Sequence, residues 1–240
     1  MTPSARTARI ALLAPMKPEL RPLVRALSLE RPGRGDTLWT GARGGVSVVA
    51  TTTGIGPRAA ARTTERVLDA GDIRHVLVVG IAGGIGPTVA IGDLVVPELV
   101  VDLSTGSRHR PATLGGEVPR GTLATSDGLL TDREAIARLE REGVIAIDME
   151  TAAVAAVCER RGCPWSVLRG ISDRADDGST DDAIFGMAGP DGAGEPAAVA
   201  RFLLTQPWRI PQLVRLARGM RVAARRAASA AVRALESLGA

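Results

Sequence analysis

Tyrosine is absent from this chain, and aromatic residues of all kinds make up only 2% of it. Any core must therefore be filled by valine, leucine, isoleucine and alanine. The same scarcity argues against a binder of single-stranded nucleic acid, whose bases stack on aromatic platforms. Cysteine is nearly absent too. Cys158 and Cys163 have neither metal nor redox spacing and read as structural thiols in a reducing compartment. No apolar run approaches the length of a membrane span. Residues 1–9 are polar and the apolar run 10–13 is too short for a signal-peptide core, so a cytoplasmic location is expected. Nucleotide fingerprints are missing as well. The glycine-rich stretches lack G-x-G-x-x-G order, and no Walker lysine follows them.

What is present is the material of one large α/β domain. The 240 residues are 45% hydrophobic and 23% charged, enough for a sizeable core. The net charge of +4 is unevenly placed. From Arg209 onward there are seven arginines against one acid, Glu236, so the rest of the chain is slightly acidic.

Residues 145–177 organise the reading. The run 145–148 is a strand, 149–161 a helix of small residues (Ala152, Ala153, Ala155, Ala156), and 165–171 a second strand with the apolar content of a buried parallel one. Gly162 and Pro164 stop the helix. Two polar clusters, Asp148-Met149-Glu150 and Ser172-Asp173, fall at the carboxyl ends of these strands, where open α/β sheets bind ligands.

Elsewhere, residues 8–15 read as the first strand, followed by a helix opening at Pro18-Glu19-Leu20. Glu19 suits the positive end of a helix dipole, and it also stands at the mouth of the first strand-to-helix turn. Strands are expected at 46–52 and 76–79. Each leads into glycine-rich chain, Thr53-Gly54-Ile55-Gly56 and Gly80-Ile81-Ala82-Gly83-Gly84-Ile85-Gly86, read as turns whose N–H groups could face a sugar or an oxyanion. A further strand starts at 92–96, another spans 122–125, and 132–142 is a helix. Residues 104–119 read as a mobile loop, and 175–195 as an acidic lid or a solvated linker. Helices are expected at 196–204 and 207–238. In the second, Leu213, Leu216, Met220, Ala223, Ala227, Ala230 and Ala234 recur at helical spacing, with Arg215, Arg218, Arg225, Arg226 and Arg233 mostly off that stripe. Such a basic amphipathic helix either docks on the core or meets anionic lipid.

Glu19, Glu150 and Asp173 thus stand at strand ends beside glycine-rich chain. Breaking a purine N-glycosidic bond needs a proton for the departing base, an anchor for the ribose hydroxyls and a group to direct the nucleophile. Carboxyl groups in tuned environments can fill these roles. At Met149-Glu150 and Ile171-Ser172-Asp173, together with Thr53-Gly54-Ile55-Gly56, Ala82-Gly83-Gly84 and Gly92-Asp93, the chain resembles the nucleoside phosphorylase and nucleosidase superfamily, in particular the 5'-methylthioadenosine/S-adenosylhomocysteine nucleosidases. The resemblance runs from about Ala8 to Asp177. It implies a three-layer α/β fold with a mixed, mostly parallel sheet flanked by helices, and no metal. It implies Asp173 as the acid that protonates the purine, Glu150 as the ribose anchor with Met149 packed on the sugar, and Glu19 as the group orienting the attacking water. Ile81, Ala82, Gly83, Leu129, Leu130 and Ser172 would complete the substrate pocket.

Departures narrow the resemblance. Ile81 stands where a serine is common. The arginines of phosphorylases are not evident, since Lys17 and Glu19 occupy the first turn and Val78-Val79 precede the glycine stretch. That favours water, with phosphate the alternative co-substrate. The chain between Val101 and Gly121 is short where relatives wall the 5' end of the nucleoside. With the segments 79–84, 147–151 and 206–218, this resembles the hopanoid-associated phosphorylases, which implies release of adenine from adenosylhopane to give ribosylhopane. The expectation is then a nucleoside-cleaving homodimer. Residues 1–205 form its α/β domain, and 206–240 form a basic helical tail able to meet the inner membrane face. A 5'-methylthioadenosine/S-adenosylhomocysteine nucleosidase, and a catalytically silent nucleoside- or membrane-binding relative, are the alternatives.

Overall fold

The computed structural model describes residues 9–33, 35–175, 181–187, 189 and 195–239. The first half of the chain runs β1 (Arg9–Ala14), α1 (Lys17–Ala26), β2 (Trp39–Arg43), β3 (Val46–Thr52), α2 (Pro57–Asp69), β4 (Ile73–Gly84), β5 (Leu94–Val95), β6 (Leu99–Asp102) and β7 (Arg108–His109). The second half runs β8 (Thr122–Thr125), α3 (Arg133–Arg141), β9 (Val144–Asp148), α4 (Thr151–Arg160), β10 (Trp165–Arg174), α5 (Asp182–Phe185), α6 (Pro196–Thr205) and, after a 3-10 turn Pro207–Arg209, α7 (Ile210–Gly239).

The strands form one mixed sheet in the order β2-β3-β1-β4-β9-β8-β6-β7, with β10 pairing β4 and β5. Strands β3, β1, β4 and β10 run parallel. Alternation along β1 shows the layering. Ile10, Leu12 and Ala14 join a core with Leu20 and Leu23 of α1 and Ala227, Ala231 and Leu235 of α7. Ala11 and Leu13 point to the other face, against Ala60 and Val67 of α2 and Ala152 and Ala155 of α4. The result is the expected three-layer α/β arrangement.

Alanine-rich helices compensate for the missing aromatics by lying close to the sheet. A Cβ built on Gly170 would overlap the carbonyl of Ala223, and one on Gly219 would overlap the carbonyl of Ser172. Helix α7 is therefore seated directly on β10. The helix read from the sequence as a tail is, over its second half, part of the main core: Ala223, Ala227, Ala230 and Ala234 are buried.

Several local expectations are revised. Gly80–Gly84 is not a turn but the end of β4, paired with β10 through Gly84. Glycine is needed there for space, because a Cβ on Gly80 would collide with the carboxylate of Glu19 and the guanidinium of Arg169. The first glycine stretch does turn the chain, with Gly54 at φ 82° and Gly56 at φ 88°. The helix expected from 149 begins at Thr151. Strands β2, β6 and β7 were not expected, and β7 lies inside the supposed loop 104–119. Of the acidic segment 175–195, residues 176–180, 188 and 190–194 lie outside the described residues, as does Ala8 at the start of the first strand.

Candidate active site

The carboxyl ends of β1, β3, β4 and β10 share one edge of the sheet. Strand β9 crosses the end of β4 antiparallel, with Ile147 opposite Gly83, which brings its own carboxyl end to the same place. A cavity of about 440 Å3 opens there. All ten residues singled out above line it: Glu19, Ile81, Ala82, Gly83, Leu129, Leu130, Met149, Glu150, Ser172 and Asp173.

Each acid is placed by a local feature. Glu19 sits in the first turn of α1, turned inward and buried, and its Oε2 accepts a long hydrogen bond of 3.4 Å from the Ile81 N–H. Glu150 is the N-cap of α4 but does not cap it. Its Oε1 instead accepts the Gly56 N–H at 2.9 Å, so the positive-φ turn after β3 holds the acid that follows β9. Asp173 follows a register shift in the pairing of β10 with β4 between Ile171 and Asp173. An irregularity of this kind re-aims a side chain. The Ser172 hydroxyl donates to Asp173 Oδ1 and lies 3.3 Å from the Ala82 carbonyl.

Beneath the acids lies a cation that the sequence reading passed over. Arg169 is fully buried in β10. Its Nη2 pairs with Asp148 Oδ2, lies 3.7 Å from Glu150 Oε2 and donates to Thr151 Oγ1 at 3.0 Å. Its Nη1 is 3.8 Å from Glu19 Oε2. Asp148 is further held by the hydroxyls of Thr125, at 2.7 Å, and Thr151. The signal for Arg169 was a lone arginine inside an apolar strand run, Trp165 to Ile171, since a charge is buried only when it is paired.

One guanidinium thus faces three carboxyl groups. Burial is the main force raising Glu19 to about 8, with Arg169 opposing it and Glu150 adding to it. Burial likewise lifts Glu150 to about 7, helped by the charge of Asp148. Burial opposes the charge on Arg169, yet Asp148, Glu150 and Glu19 together raise its pKa above the ordinary guanidinium value. Glu19 Oε1 and Arg169 Nη1 are buried without a hydrogen-bond partner among the described residues.

This arrangement has a measurable consequence. A carboxyl whose folded pKa lies above its unfolded one stabilises the fold fully below the unfolded value, and that contribution is lost as pH rises through the folded value. For Glu19 the window runs from 4.5 to about 8. We expect the thermal midpoint of the wild type to fall across that range, and that of Glu19→Gln to fall less steeply. Parallel curves for the two proteins would show that Glu19 is ionised throughout.

Much of the remaining lining is apolar: Ile184, Met187, Val199, Leu213 and Leu216 belong to one packed cluster, and Met220 also lines the cavity. Arg174, the one arginine in the lining among the described residues, donates from Nη1 to the carbonyls of Gly86, at 2.9 Å, and Val89, at 3.3 Å. Among the described residues there is no His/Cys/Asp/Glu group fit to hold a metal, and no helix is long and apolar enough to cross a membrane.

Comparison with known proteins places the chain in a family. The family model described as the phosphorylase superfamily matches residues 9–113 and 108–205. The chain belongs to the phosphorylase superfamily. Within it the chain falls with the N-glycosyl hydrolases called nucleosidases. It is 31% identical over 199 residues to the 5'-methylthioadenosine/S-adenosylhomocysteine nucleosidase of Chromohalobacter salexigens, covering 70% of this chain and 85% of that one. It is 29% identical over 203 residues to the enzyme of that name from Shewanella frigidimarina, covering 71% and 88%. Among solved structures, futalosine hydrolase of Helicobacter pylori superposes with a TM-score of 0.74 at 21% identity, over 98% of this chain and 100% of that one. A 5'-methylthioadenosine/S-adenosylhomocysteine nucleosidase of the same organism gives a TM-score of 0.70 at 20% identity, over 94% and 96%. Both share the α/β fold.

Proposed function

We propose that this superfamily member hydrolyses the N-glycosidic bond of a 5'-substituted adenosine whose 5' group is a hydrocarbon, converting adenosylhopane to ribosylhopane and adenine. In this reading Asp173 delivers a proton to N7 of the purine as the C1'–N9 bond breaks and its electron pair passes to the base. Glu150 accepts hydrogen bonds from the ribose hydroxyls, and Met149 packs on the sugar. Glu19, in the ionised form that gains population as pH approaches 8, orients the water whose oxygen bonds to C1' and takes up the proton that water loses. Ile81, Ala82, Gly83, Leu129, Leu130 and Ser172 shape the pocket around base and sugar.

The observation that carries the reading is the mixed lining of the cavity, acidic groups together with a packed apolar cluster. Glu19, Glu150 and Asp173 share the lining with the packed apolar cluster of Ile184, Met187, Val199, Leu213 and Leu216, and with Met220. An apolar 5' group is the substituent that gains from such a wall. Water is favoured over phosphate because Arg174, the single arginine of the lining among the described residues, is engaged by backbone carbonyls. The proposal includes a cytoplasmic homodimer whose catalytic unit takes in α7 as well as residues 1–205, since Leu213, Leu216 and Met220 line the cavity. The relatives named above favour a second reading, in which the substrate is 5'-methylthioadenosine or S-adenosylhomocysteine.

Adenine release from adenosylhopane and from 5'-methylthioadenosine, each with and without phosphate, separates these readings. Release from the hopanoid alone, independent of phosphate, is the expected result. Preferential turnover of methylthioadenosine sinks the lipid substrate, and a requirement for phosphate sinks water as the nucleophile.

A further inference from the structure

The C-terminal helix divides into two halves with different surroundings. Beyond Arg226 its one arginine, Arg233, belongs to a helix docked in the core and is held by Glu117 at 2.6 Å. Before that point the helix has two working faces. Leu213, Leu216 and Met220 line the cavity. Ile210, Val214, Arg218, Arg221 and Arg225 recur at spacings of four, four, three and four residues and are all exposed. They form one stripe, apolar at its start and cationic further on. The corner where α6 meets α7 extends the apolar end of the stripe, with Leu204 83% and Trp208 72% exposed, and Arg201 is exposed one turn before Leu204.

We propose that this corner is a docking surface for an anionic phospholipid bilayer. Leu204, Trp208 and Ile210 would enter the headgroup boundary, and Arg218, Arg221 and Arg225 would meet lipid phosphates. The proposal deepens the lipid-substrate reading and rests on it for its purpose. It also relocates the membrane contact from the whole tail to the corner.

Charge decides the occupant. None of Arg218, Arg221 and Arg225 is ion-paired with an acid among the described residues, so the stripe presents one sign of charge next to large apolar tips. Tryptophan and aliphatic tips beside arginines are the composition of interfacial helices. A second copy of this chain would bring the same arginines to face one another across a two-fold axis. Position supports the same occupant. The helix that carries the stripe also supplies Leu213, Leu216 and Met220 to the cavity lining, so the docking face and the apolar wall belong to one element.

The test is co-sedimentation of the full chain with vesicles of phosphatidylcholine alone or of phosphatidylcholine with phosphatidylglycerol. Wild type is expected on the anionic vesicles and released as salt is raised. Each arginine near an anionic surface is worth about fivefold in partitioning. Arg218→Glu/Arg221→Glu should therefore weaken binding more than about twentyfold. Leu204→Ser/Trp208→Ser should abolish it on its own, with thermal midpoints of both variants matching wild type. Equal binding to neutral vesicles, no binding by wild type, or undiminished binding by both variants overturns the proposal. So does a dimer in sedimentation velocity that these variants dissociate, which would make the corner a subunit contact. Anionic vesicle binding without adenine release from adenosylhopane upholds the surface and sinks the substrate reading alone.

Discussion

Asp173→Asn is expected to lower kcat for adenine release by at least about a hundredfold, with KM changed no more than about threefold. Asparagine keeps the shape of the side chain and can still meet the Ser172 hydroxyl that pairs with Asp173 Oδ1. The main-chain irregularity that aims the residue lies in the pairing of β10 with β4 and does not depend on its charge. What is lost is a transferable proton, which acts only as the glycosidic bond breaks. The loss should therefore fall on the chemical step and not on binding. Wild-type turnover in this variant would transfer the acid role elsewhere, and a large rise in KM with unchanged kcat would make Asp173 a binding group only.

Arg169→Met is expected to cost about 3–5 kcal/mol of stability, because removing one member of a buried ionic cluster leaves the others uncompensated. For a domain of this size that lowers the thermal midpoint by about 10 °C or more. Arg169 is fully buried among Asp148, Glu150 and Glu19, and its charge lowers the pKa of both glutamates against the effect of burial. Without it these carboxyls take up protons at still higher pH, and folding must then work against their ionisation. The deficit relative to wild type should be smallest below about pH 7, where both folded proteins hold these glutamates neutral, and grow as pH rises from 7 to beyond 8. A deficit independent of pH would show that the side chain contributes packing alone. Calorimetry of both proteins across that range distinguishes the two.

The fold was legible where periodicity and punctuation agree. Strand 46–52, a run rich in valine and threonine ended by a glycine turn, and strand 122–125, bounded by Gly121 and the Ser126-Asp127-Gly128 loop, have the boundaries expected of them. Asp132 caps α3 through the Glu134 N–H at 3.0 Å, as a helix-start aspartate should. The glycines of 80–84 misled because glycine marks two different needs in the same letters. One is a backbone that turns, as at Gly54 and Gly56. The other is a straight strand over which charged side chains must pass, as at Gly80. Only the position of Glu19 and Arg169 in space separates them. The three acids were legible as strand ends, whereas the cation that tunes them lies in mid-strand. Nothing local to Arg169 says which acids it meets, because Asp148, Glu150 and Glu19 reach it from different elements. Strand β2 was missed because its residues 39–43, WTGAR, carry little apolar alternation, and its place is set by antiparallel pairing with β3.

The contacts of Gly170 with Ala223 and of Gly219 with Ser172 give α7 a fixed seat and an interchangeable wall. At the seat no side chain can be added without lifting the helix from the strand that carries Asp173. One turn and more away, Leu213 and Leu216 project into the cavity and take no part in the seat. Changes there alter the size and shape of the space while the proton donor stays where β10 holds it. The substrate range of this chain can therefore drift by substitution at a few wall positions, and its chemistry is inherited unchanged.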